Sequence, residues 1–176
     1  LLDKLIKKNR LVKIDAKELL PKIAFSRQQS FISSPVLSDQ HIVCREASFN
    51  DYFMEDIQSF KRRLIIFSPF MTENRLSVLL PNFADAVNAG KQIVVVTKAP
   101  SERGKELAQY EKCEKGLTNI GVSIIHKKGM HEKLIFVDDF AVWIGSLNAL
   151  SFTGLTGEVM ARHMDKELTA EYEKLL

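Results

Sequence analysis

The sequence predicts a mixed α/β domain with a mainly parallel central sheet, helices on both faces, and an antiparallel hairpin joined to the sheet. Two observations favour this class. From residue 41 onward, short apolar runs rich in β-branched residues alternate with stretches of helical periodicity, which is the pattern of layered α/β proteins. After residue 133 two apolar runs follow each other across the polar pair Asp138 and Asp139, which is typical of a β-hairpin.

The composition is that of one globular domain. Of 176 residues, 45% are hydrophobic and 27% charged, so the chain is neither disordered nor low in complexity. Cys44 and Cys113 form no metal-binding grouping, so we expect no metal site and a reducing, cytoplasmic location. No apolar run is long enough for a membrane span. The net charge of +3 permits a phosphate-bearing partner without identifying one.

Residues 1–40 are predicted to be an N-terminal helical extension and linker, and residues 41–176 the domain itself. Residues 1–13 are amphipathic and rich in lysine, and residues 16–24 form a second helical pattern that Pro21 interrupts. Residues 26–40 are polar and rich in serine, as linkers are. Because the chain begins at Leu1 without an initiator methionine, we expect it to be a piece of a longer protein.

The first half of the domain is predicted from alternating strand and helix patterns. Strands are predicted at residues 41–44, 64–68, 93–97 and 122–125, buried on both faces as parallel strands are. Helices are predicted at residues 49–60, 73–88 and 102–117. Ser48 is the expected N-cap of the first helix, and Gly90 and Gly116 are expected to end the other two.

The second half begins with the hairpin, whose strands are predicted at residues 134–137 and 140–144. A loop rich in serine, threonine and glycine follows at residues 146–157, and then a strand at residues 158–163. The last helix is predicted at residues 166–176, with Asp165 as its N-cap.

Polar residues interrupt this apolar hairpin at both of its outer ends. His131 and Lys133 lie two positions apart and therefore share one face of a strand, on which no opposite charge follows. At the other end Gly145 permits close backbone approach, and Ser146 and Asn148 are again two apart. Lysine, serine and asparagine donate hydrogen bonds that suit phosphate oxygens, and histidine is a nucleophile or proton carrier.

The spacing His131-x-Lys133-x4-Asp138-x6-Gly145-Ser146-x-Asn148 resembles the HKD signature of the phospholipase D superfamily at every fixed position and in both gaps. Glu158 also lies where this family often has an acidic residue. Less specifically, residues 64–97 resemble the nuclease-type members and the related domains appended to DNA helicases. The resemblance covers about residues 41–176.

The resemblance implies phosphodiester cleavage through a covalent phosphohistidine, with no metal ion or other cofactor. His131 would be the nucleophile. Lys133 and Asn148 would hold the nonbridging oxygens, where charge builds in the transition state, and Ser146 would fix the loop or the phosphate. Glu158 would accept a hydrogen bond from an imidazole N–H and so set the tautomer of the ring.

Two further groups of residues complete the expected site. Asp138 belongs to the motif but differs in strand parity from His131 and Lys133, so we expect it to order the hairpin rather than touch the substrate. Four cations follow predicted strands, at the sheet edge where open α/β sheets bind ligands. These expected substrate-binding residues are Lys98, Arg103, Lys127 and Lys128.

A single HKD copy is half of an active site, because in-line displacement needs a nucleophile and, on the opposite side, a general acid. The family uses two copies, so a homodimer that shares one site is implied unless a longer chain supplies the second copy. The predicted function is a DNA nuclease domain, of the kind found beside a helicase or in a restriction-type protein, with DNA favoured over RNA. The alternatives are a phospholipid head-group hydrolase or transferase, and a non-catalytic module that binds phosphate and dimerises.

Overall fold

The computed structural model of the protein describes residues 40–151 and 157–174. The predicted helical pieces and linker before residue 40 lie outside these ranges. The described elements, in chain order, are β1 (His41–Arg45), α1 (Glu46–Ser59), β2 (Arg63–Phe67), α2 (Glu73–Asn88), β3 (Gln92–Lys98), α3 (Leu107–Asn119), β4 (Ser123–Lys127), β5 (Leu134–Val137), β6 (Ala141–Gly145), β7 (Val159–His163) and α4 (Lys166–Lys174). Two short 3-10 turns, Pro100–Glu102 and Gly104–Glu106, lie between β3 and α3.

The strands form one mixed sheet in the order β1-β7-β6-β5-β2-β3-β4, which confirms the mixed α/β class. The expectation that this sheet would be mainly parallel is wrong. Among the described strands only β2–β3 and β3–β4 pair in parallel, and the other neighbours are antiparallel. The hairpin of β5 and β6 is inserted between β2 and β7 instead of being added at one side. A turn as short as the one at Asp138 and Asp139 joins only antiparallel strands, so β5 and β6 run in opposite directions.

Helices cover both faces, as predicted. Alternate residues of the central strands enter two separate buried clusters. The larger cluster packs α1, α2 and α3 against one face around Trp143, whose indole N–H donates to Asp56 Oδ2 at 2.7 Å. The smaller cluster contains Phe67 and Phe136 and is covered by α4. None of the helices in residues 40–151 and 157–174 is long and apolar enough to cross a lipid bilayer.

The first strand and helix differ from the prediction in two ways. Strand β1 is not buried on both faces, because it lies at the edge of the sheet and exposes 62% of Val43. Helix α1 begins at Glu46 after Arg45, and Ser48 lies inside its first turn, where its hydroxyl donates to the Arg45 carbonyl at 3.2 Å. Ser48 is therefore not an N-cap.

The other helix ends have the residue types that the sequence predicts, a glycine or an aspartate, but one of the glycines is at a different position. Gly90 follows α2 with a positive φ of 81°, and Asp165 Oδ1 accepts from the amides at positions 167 and 168 at 2.9 and 3.0 Å. Both predictions are confirmed. Gly116 lies inside α3, and Gly121, with φ of 89°, is the glycine that follows this helix.

The pairing register brings distant segments to one edge of the sheet. Strands β2, β3 and β4 all end there, and Phe67 at the end of β2 pairs with Leu134 at the start of β5. Leu134 also pairs with Ile144, so β6 ends at the same edge, which we call the carboxyl edge. Strand β7 begins there, because Met160 pairs with Gly145. Both halves of the HKD pattern therefore flank this edge.

Candidate active site

His131 and Lys133 lie in the extended segment that leads into β5 at the carboxyl edge. The Lys133 ammonium donates to the His131 carbonyl oxygen at 2.7 Å. The same Nζ atom is 3.1 Å from Nδ1 and 3.3 Å from Nε2 of the imidazole. Because an ammonium has no lone pair, a ring nitrogen that faces it can only accept. The segment therefore presents a cation and an imidazole side by side, as the two-residue spacing predicts.

Charges from two other segments act on the Lys133 ammonium. Partial burial lowers the pKa of Lys133 from its ordinary value; the Glu158 carboxylate opposes this effect and the Lys98 ammonium adds to it. Lys98 ends β3, and Glu158 directly precedes β7. The structure thus brings Lys98 and Glu158 into the electrostatic surroundings of Lys133, although they are far apart in the sequence.

Glu132, the residue between His131 and Lys133, holds this segment in place. One oxygen of its carboxylate accepts from the His131 backbone amide at 2.8 Å, and the other accepts from the Lys127 ammonium at 2.8 Å. The hydrogen bond from Lys127, foremost among several, lowers the pKa of Glu132 to about 2. Glu132 is therefore ionised at neutral pH and ties the end of β4 to the entry of β5. The motif carries no signal for this role, because any residue can stand at that position.

Gly145 permits the close contact between β6 and β7 on which the second half of the pattern depends. A Cβ atom at this position would lie 2.1 Å from the Val159 carbonyl oxygen, which is far inside a normal contact. Ser146 continues the contact in both directions. Its backbone amide donates to Val159 O at 3.0 Å, and its hydroxyl accepts from the Val159 amide at 3.2 Å. The Ser146 side chain therefore fixes the loop, one of the two roles expected of it.

Asn148 carries an unsatisfied polar atom. Its Oδ1 is buried and has no hydrogen-bond partner. A buried amide oxygen without a partner is costly, and such atoms concentrate where a ligand or water completes the bonding. This oxygen needs a donor, whereas a phosphate oxygen would be held by the Nδ2 amide of the same side chain, which donates.

The loop around Asn148 is held by residues that the sequence did not single out. Arg75 of α2 is buried and donates from Nε to the Ala149 carbonyl at 3.0 Å. Burial lowers the pKa of Arg75 to about 10, so the guanidinium stays charged at neutral pH. The Ser68 hydroxyl after β2 accepts from the Leu150 amide at 3.3 Å. An arginine within a helix is usually exposed, so its role in this loop could not be recognised from the sequence.

The two halves of the pattern share one cavity of about 480 Å³. The cavity lies at the paired ends of β5 and β6. It is lined by the segment around His131, the segment around Ser146 and Tyr172 of α4. The lining residues are His131, Glu132, Lys133, Leu134, Ile144, Gly145, Ser146 and Tyr172. Tyr172 could not be predicted as a lining residue, because it lies in an ordinary amphipathic helix.

Asp138 lies at the other end of β5, away from the cavity. Its carboxylate accepts from the backbone amides of Lys61, Arg62 and Arg63 at 2.8, 2.7 and 2.9 Å. Burial raises the pKa of such a group, but these amide hydrogen bonds outweigh burial and hold the pKa of Asp138 below its ordinary value. Asp138 therefore orders the hairpin and the loop before β2, as expected from its strand parity.

The four expected substrate-binding cations divide into different environments. Lys98 lies at the carboxyl edge with its ammonium 3.9 Å from the centre of the Phe70 ring, and Lys128 is exposed. Lys127 is paired with Glu132. The prediction that Arg103 binds the substrate is wrong. Its side chain is buried, donates to the Lys98 carbonyl at 3.0 and 2.7 Å, and pairs with Glu114. Its guanidinium supports the end of β3 and is not available to a substrate.

The family model described as "Cardiolipin synthase, PLD-like domain" matches residues 53–176. This chain belongs to the phospholipase D superfamily. The match includes α2, the hairpin and every residue of the HKD pattern. None of the curated proteins compared matches the chain significantly.

Solved structures share the fold of this phospholipase D-like domain. Nuc of Salmonella typhimurium, a phospholipase D family member, has a TM-score of 0.62 at 18% identity, covering 77% of this chain and 89% of Nuc. NucT of Helicobacter pylori has a TM-score of 0.60 at 14% identity, covering 77% of this chain and 91% of NucT. TrmBL2, an archaeal chromatin protein with a novel mode of DNA binding, has a TM-score of 0.55 at 12% identity, covering 99% of this chain and 63% of TrmBL2.

Proposed function

We propose that this domain is a phosphodiesterase that cleaves DNA through a covalent phosphohistidine on His131, without a metal ion. The observation that carries the proposal is the shared cavity, which joins His131 and Lys133 to the Gly145–Ser146 turn at one sheet edge. Asn148 lies in the adjoining loop and supports it, because its Nδ2 amide is a donor suited to a phosphate oxygen. Membership of the phospholipase D superfamily makes phosphodiester chemistry the reaction class to which these groups are suited.

In the proposed reaction a ring nitrogen of His131 attacks phosphorus and forms an N–P bond while the bond to the leaving oxygen breaks. The departing oxygen takes a proton from a general acid. Lys133 and Asn148 hold the nonbridging oxygens, and Glu158 accepts from the imidazole N–H and fixes the ring. Water then attacks the phosphohistidine, gives its proton back to the same acid–base group, and releases the phosphomonoester.

The general acid is the part of the reaction that one HKD pattern does not supply. We propose that His131 of a second copy provides it, so that two chains form one site around a two-fold axis. The placement of His131 at a sheet edge, exposed to solvent, supports this arrangement because a second copy can approach the ring from outside.

The proposal of DNA as the substrate depends on the charges around the site. Lys98 ends β3 at the carboxyl edge and acts on the cavity residue Lys133, and Lys128 follows β4 at the same edge. Both cations suit the phosphates on either side of the scissile one. One of the fold neighbours, the chromatin protein TrmBL2, is described as binding DNA. We also propose that this domain belongs to a longer protein that contains a helicase or is of the restriction type.

A phospholipid substrate is the second candidate, and one observation favours it. The cavity has an apolar wall formed by Leu134, Ile144 and Tyr172, and the matching family model is described as a cardiolipin synthase domain. Such a wall suits a glycerol backbone as well as a nucleoside.

The deciding experiment offers the 176-residue chain duplex DNA, single-stranded DNA, RNA and phosphatidylglycerol vesicles, each with excess chelator. We expect cleavage of DNA, trapping of a covalent phosphoenzyme, and loss of both in His131→Asn. Because a nucleophile contributes at least about a hundredfold, a His131→Asn rate above one hundredth of the wild-type rate would refute its role. Cleavage that requires added magnesium would refute the metal-free mechanism, and turnover of lipid alone would refute DNA as the substrate.

A further inference from the structure

One wall of the cavity comes from α4, a helix with no place in the HKD pattern. Tyr172 of α4 lines the same cavity as His131 and Ser146. Leu134 and Ile144, the paired ends of β5 and β6, continue this wall with apolar side chains. One side of the cavity is therefore suited to phosphate and the other to an apolar, flat group.

The position of Tyr172 is fixed by three separate interactions of its helix. Asp165 caps α4 at its start. Leu168, one turn before Tyr172, packs against the smaller buried cluster, as does Tyr172 itself. At the end of the helix Glu173 pairs with Arg63 of β2. An aromatic ring held in this way loses little further freedom when a ligand stacks on it.

A phosphodiester bound at His131 and Lys133 lies at this cavity, because both residues line it, and one of its two substituents can enter. Its volume of about 480 Å³ suits one small ligand group, since ligand pockets range from about 300 to 1,000 Å³. Two cations lie along the same edge of the sheet: Lys98, whose ammonium acts on the cavity residue Lys133, and Lys128, which follows β4. A cationic edge suits the next phosphates of a nucleic acid better than the acyl chains of a lipid.

We propose that Tyr172 is the stacking platform for the nucleobase attached to the scissile phosphate. This inference rests on the proposed nuclease function and makes Tyr172 a specificity residue of that site. Stacking is tolerant of sequence, because every base has a flat face. The domain would therefore require a base at this position without selecting which base it is.

The test compares single-stranded DNA oligonucleotides with a normal or an abasic nucleotide at the cleaved phosphate, using the wild-type chain, Tyr172→Phe and Tyr172→Leu. Loss of stacking on an aromatic side chain is worth about 1–3 kcal/mol, or about 5- to 150-fold. We expect Tyr172→Leu to lose that factor in kcat/KM on the normal oligonucleotide and Tyr172→Phe to stay near wild type. On the abasic oligonucleotide the three chains should be equal. Leu168→Ala is the control for a disturbed helix, because it weakens the same packing without lining the cavity.

A readout that needs no turnover separates this inference from the proposed reaction. Oligonucleotides with 2-aminopurine at the same position are bound to chains that also carry His131→Asn. Quenching of the fluorescence that Tyr172→Phe keeps and Tyr172→Leu loses would support the platform, even if no DNA were cleaved. Equal loss in Tyr172→Leu on normal and abasic substrates, or no change with cleavage intact, would overturn it. Binding of phosphatidylglycerol vesicles that depends on Tyr172, with no quenching by DNA, would also overturn it and assign the wall to lipid.

Discussion

Replacement of Asp138 separates the structural from the catalytic members of the HKD pattern. The carboxylate is 3% exposed and accepts three backbone hydrogen bonds of 2.7–2.9 Å. The matched pair of variants is Asp138→Asn and Asp138→Ala. Asparagine tolerates the positive φ of 52° at this position and keeps one acceptor oxygen, whereas alanine loses every acceptor.

The cost of each change follows from these contacts. A hydrogen bond to a charged group contributes about 1.5–3 kcal/mol. Lys61 and Arg62 lie in an exposed loop, so water can replace part of what is lost, and we expect about 3–4 kcal/mol for Asp138→Ala. In Asp138→Asn the amide NH2 faces the Lys61 N–H, while the remaining oxygen keeps Arg62 and Arg63, so about 1.5–2 kcal/mol is expected. For a domain of this size each kcal/mol lowers Tm by about 2–4 °C.

The assay is urea unfolding followed by circular dichroism, together with turnover per folded molecule. We expect the order of stability wild type, Asp138→Asn, Asp138→Ala, with kcat of the folded asparagine variant within about twofold of wild type, as for a group that touches no reacting atom. A hundredfold fall in kcat of Asp138→Asn at unchanged stability would refute this reasoning and place the carboxylate in the reaction.

The pH dependence is a second check of the same interaction. The folded pKa of Asp138 is below its ordinary value, so its contribution is complete above the unfolded pKa of about 3.9. This contribution is lost as the pH falls through the folded pKa. The stability difference between wild type and Asp138→Asn should therefore be constant from pH 8 to about pH 5 and shrink below about pH 4. A difference that grew on acidification would show that the charged form of Asp138 is not the form that the backbone amides stabilise.

Three other changes test the site and its supports. Glu132→Gln should release the Lys127 ammonium from its ion pair, so that DNA binds more tightly. The slope of the logarithm of the binding constant against the logarithm of the salt concentration should steepen by about one phosphate contact. Binding titrations at several salt concentrations that show no change in this slope would contradict the prediction. Gly145→Ala should lower stability by more than about 3 kcal/mol, because β6 and β7 must separate to admit the Cβ; a melting temperature within about 3 °C of wild type would be the contrary result. Mixing excess His131→Asn chains with wild-type chains should lower activity below the wild-type fraction, because a mixed dimer lacks a nucleophile or an acid; activity proportional to that fraction would rule out a shared site.

The sequence predicted the placement of the motif residues better than that of the residues that support them. The spacing of His131 and Lys133, and the parity of Asp138, follow from strand geometry alone, which is why their placement agrees with the structure. Arg103 was misplaced because burial depends on packing from other elements. Glu114, which pairs with it, lies 11 residues away on α3. Arg75 binds the loop of Asn148, and Tyr172 lines the cavity. Both lie in helices whose sequence pattern gives no indication of these contacts.

The strand pairing of the sheet could not be predicted for the same reason, because it depends on contacts between distant segments. Local patterns predicted strands at residues 134–137 and 158–163, close to the observed β5 and β7. A pattern within one strand does not give the direction of its pairing. The register of Leu134 with both Phe67 and Ile144 decides that β5 is antiparallel on both sides. Ser48 is not a cap for a simpler reason: helix α1 starts at Glu46, three residues before the predicted start. Helix boundaries are the part of a fold that local patterns define least.

The pairing of β1 with β7 has a consequence for how this protein is made. The imidazoles of His41 and His163 meet at 3.0 Å, although 122 positions separate them in the chain. At about 5–20 residues per second of synthesis, β1 would wait roughly 6–24 seconds for its partner strand to be made. Until then β1 has no strand beside it, and β6 lacks the neighbour against which Gly145 and Ser146 close. The turn that carries Ser146 is therefore completed late, so a nascent chain should acquire an ordered phosphate site only after nearly the whole domain has been synthesised.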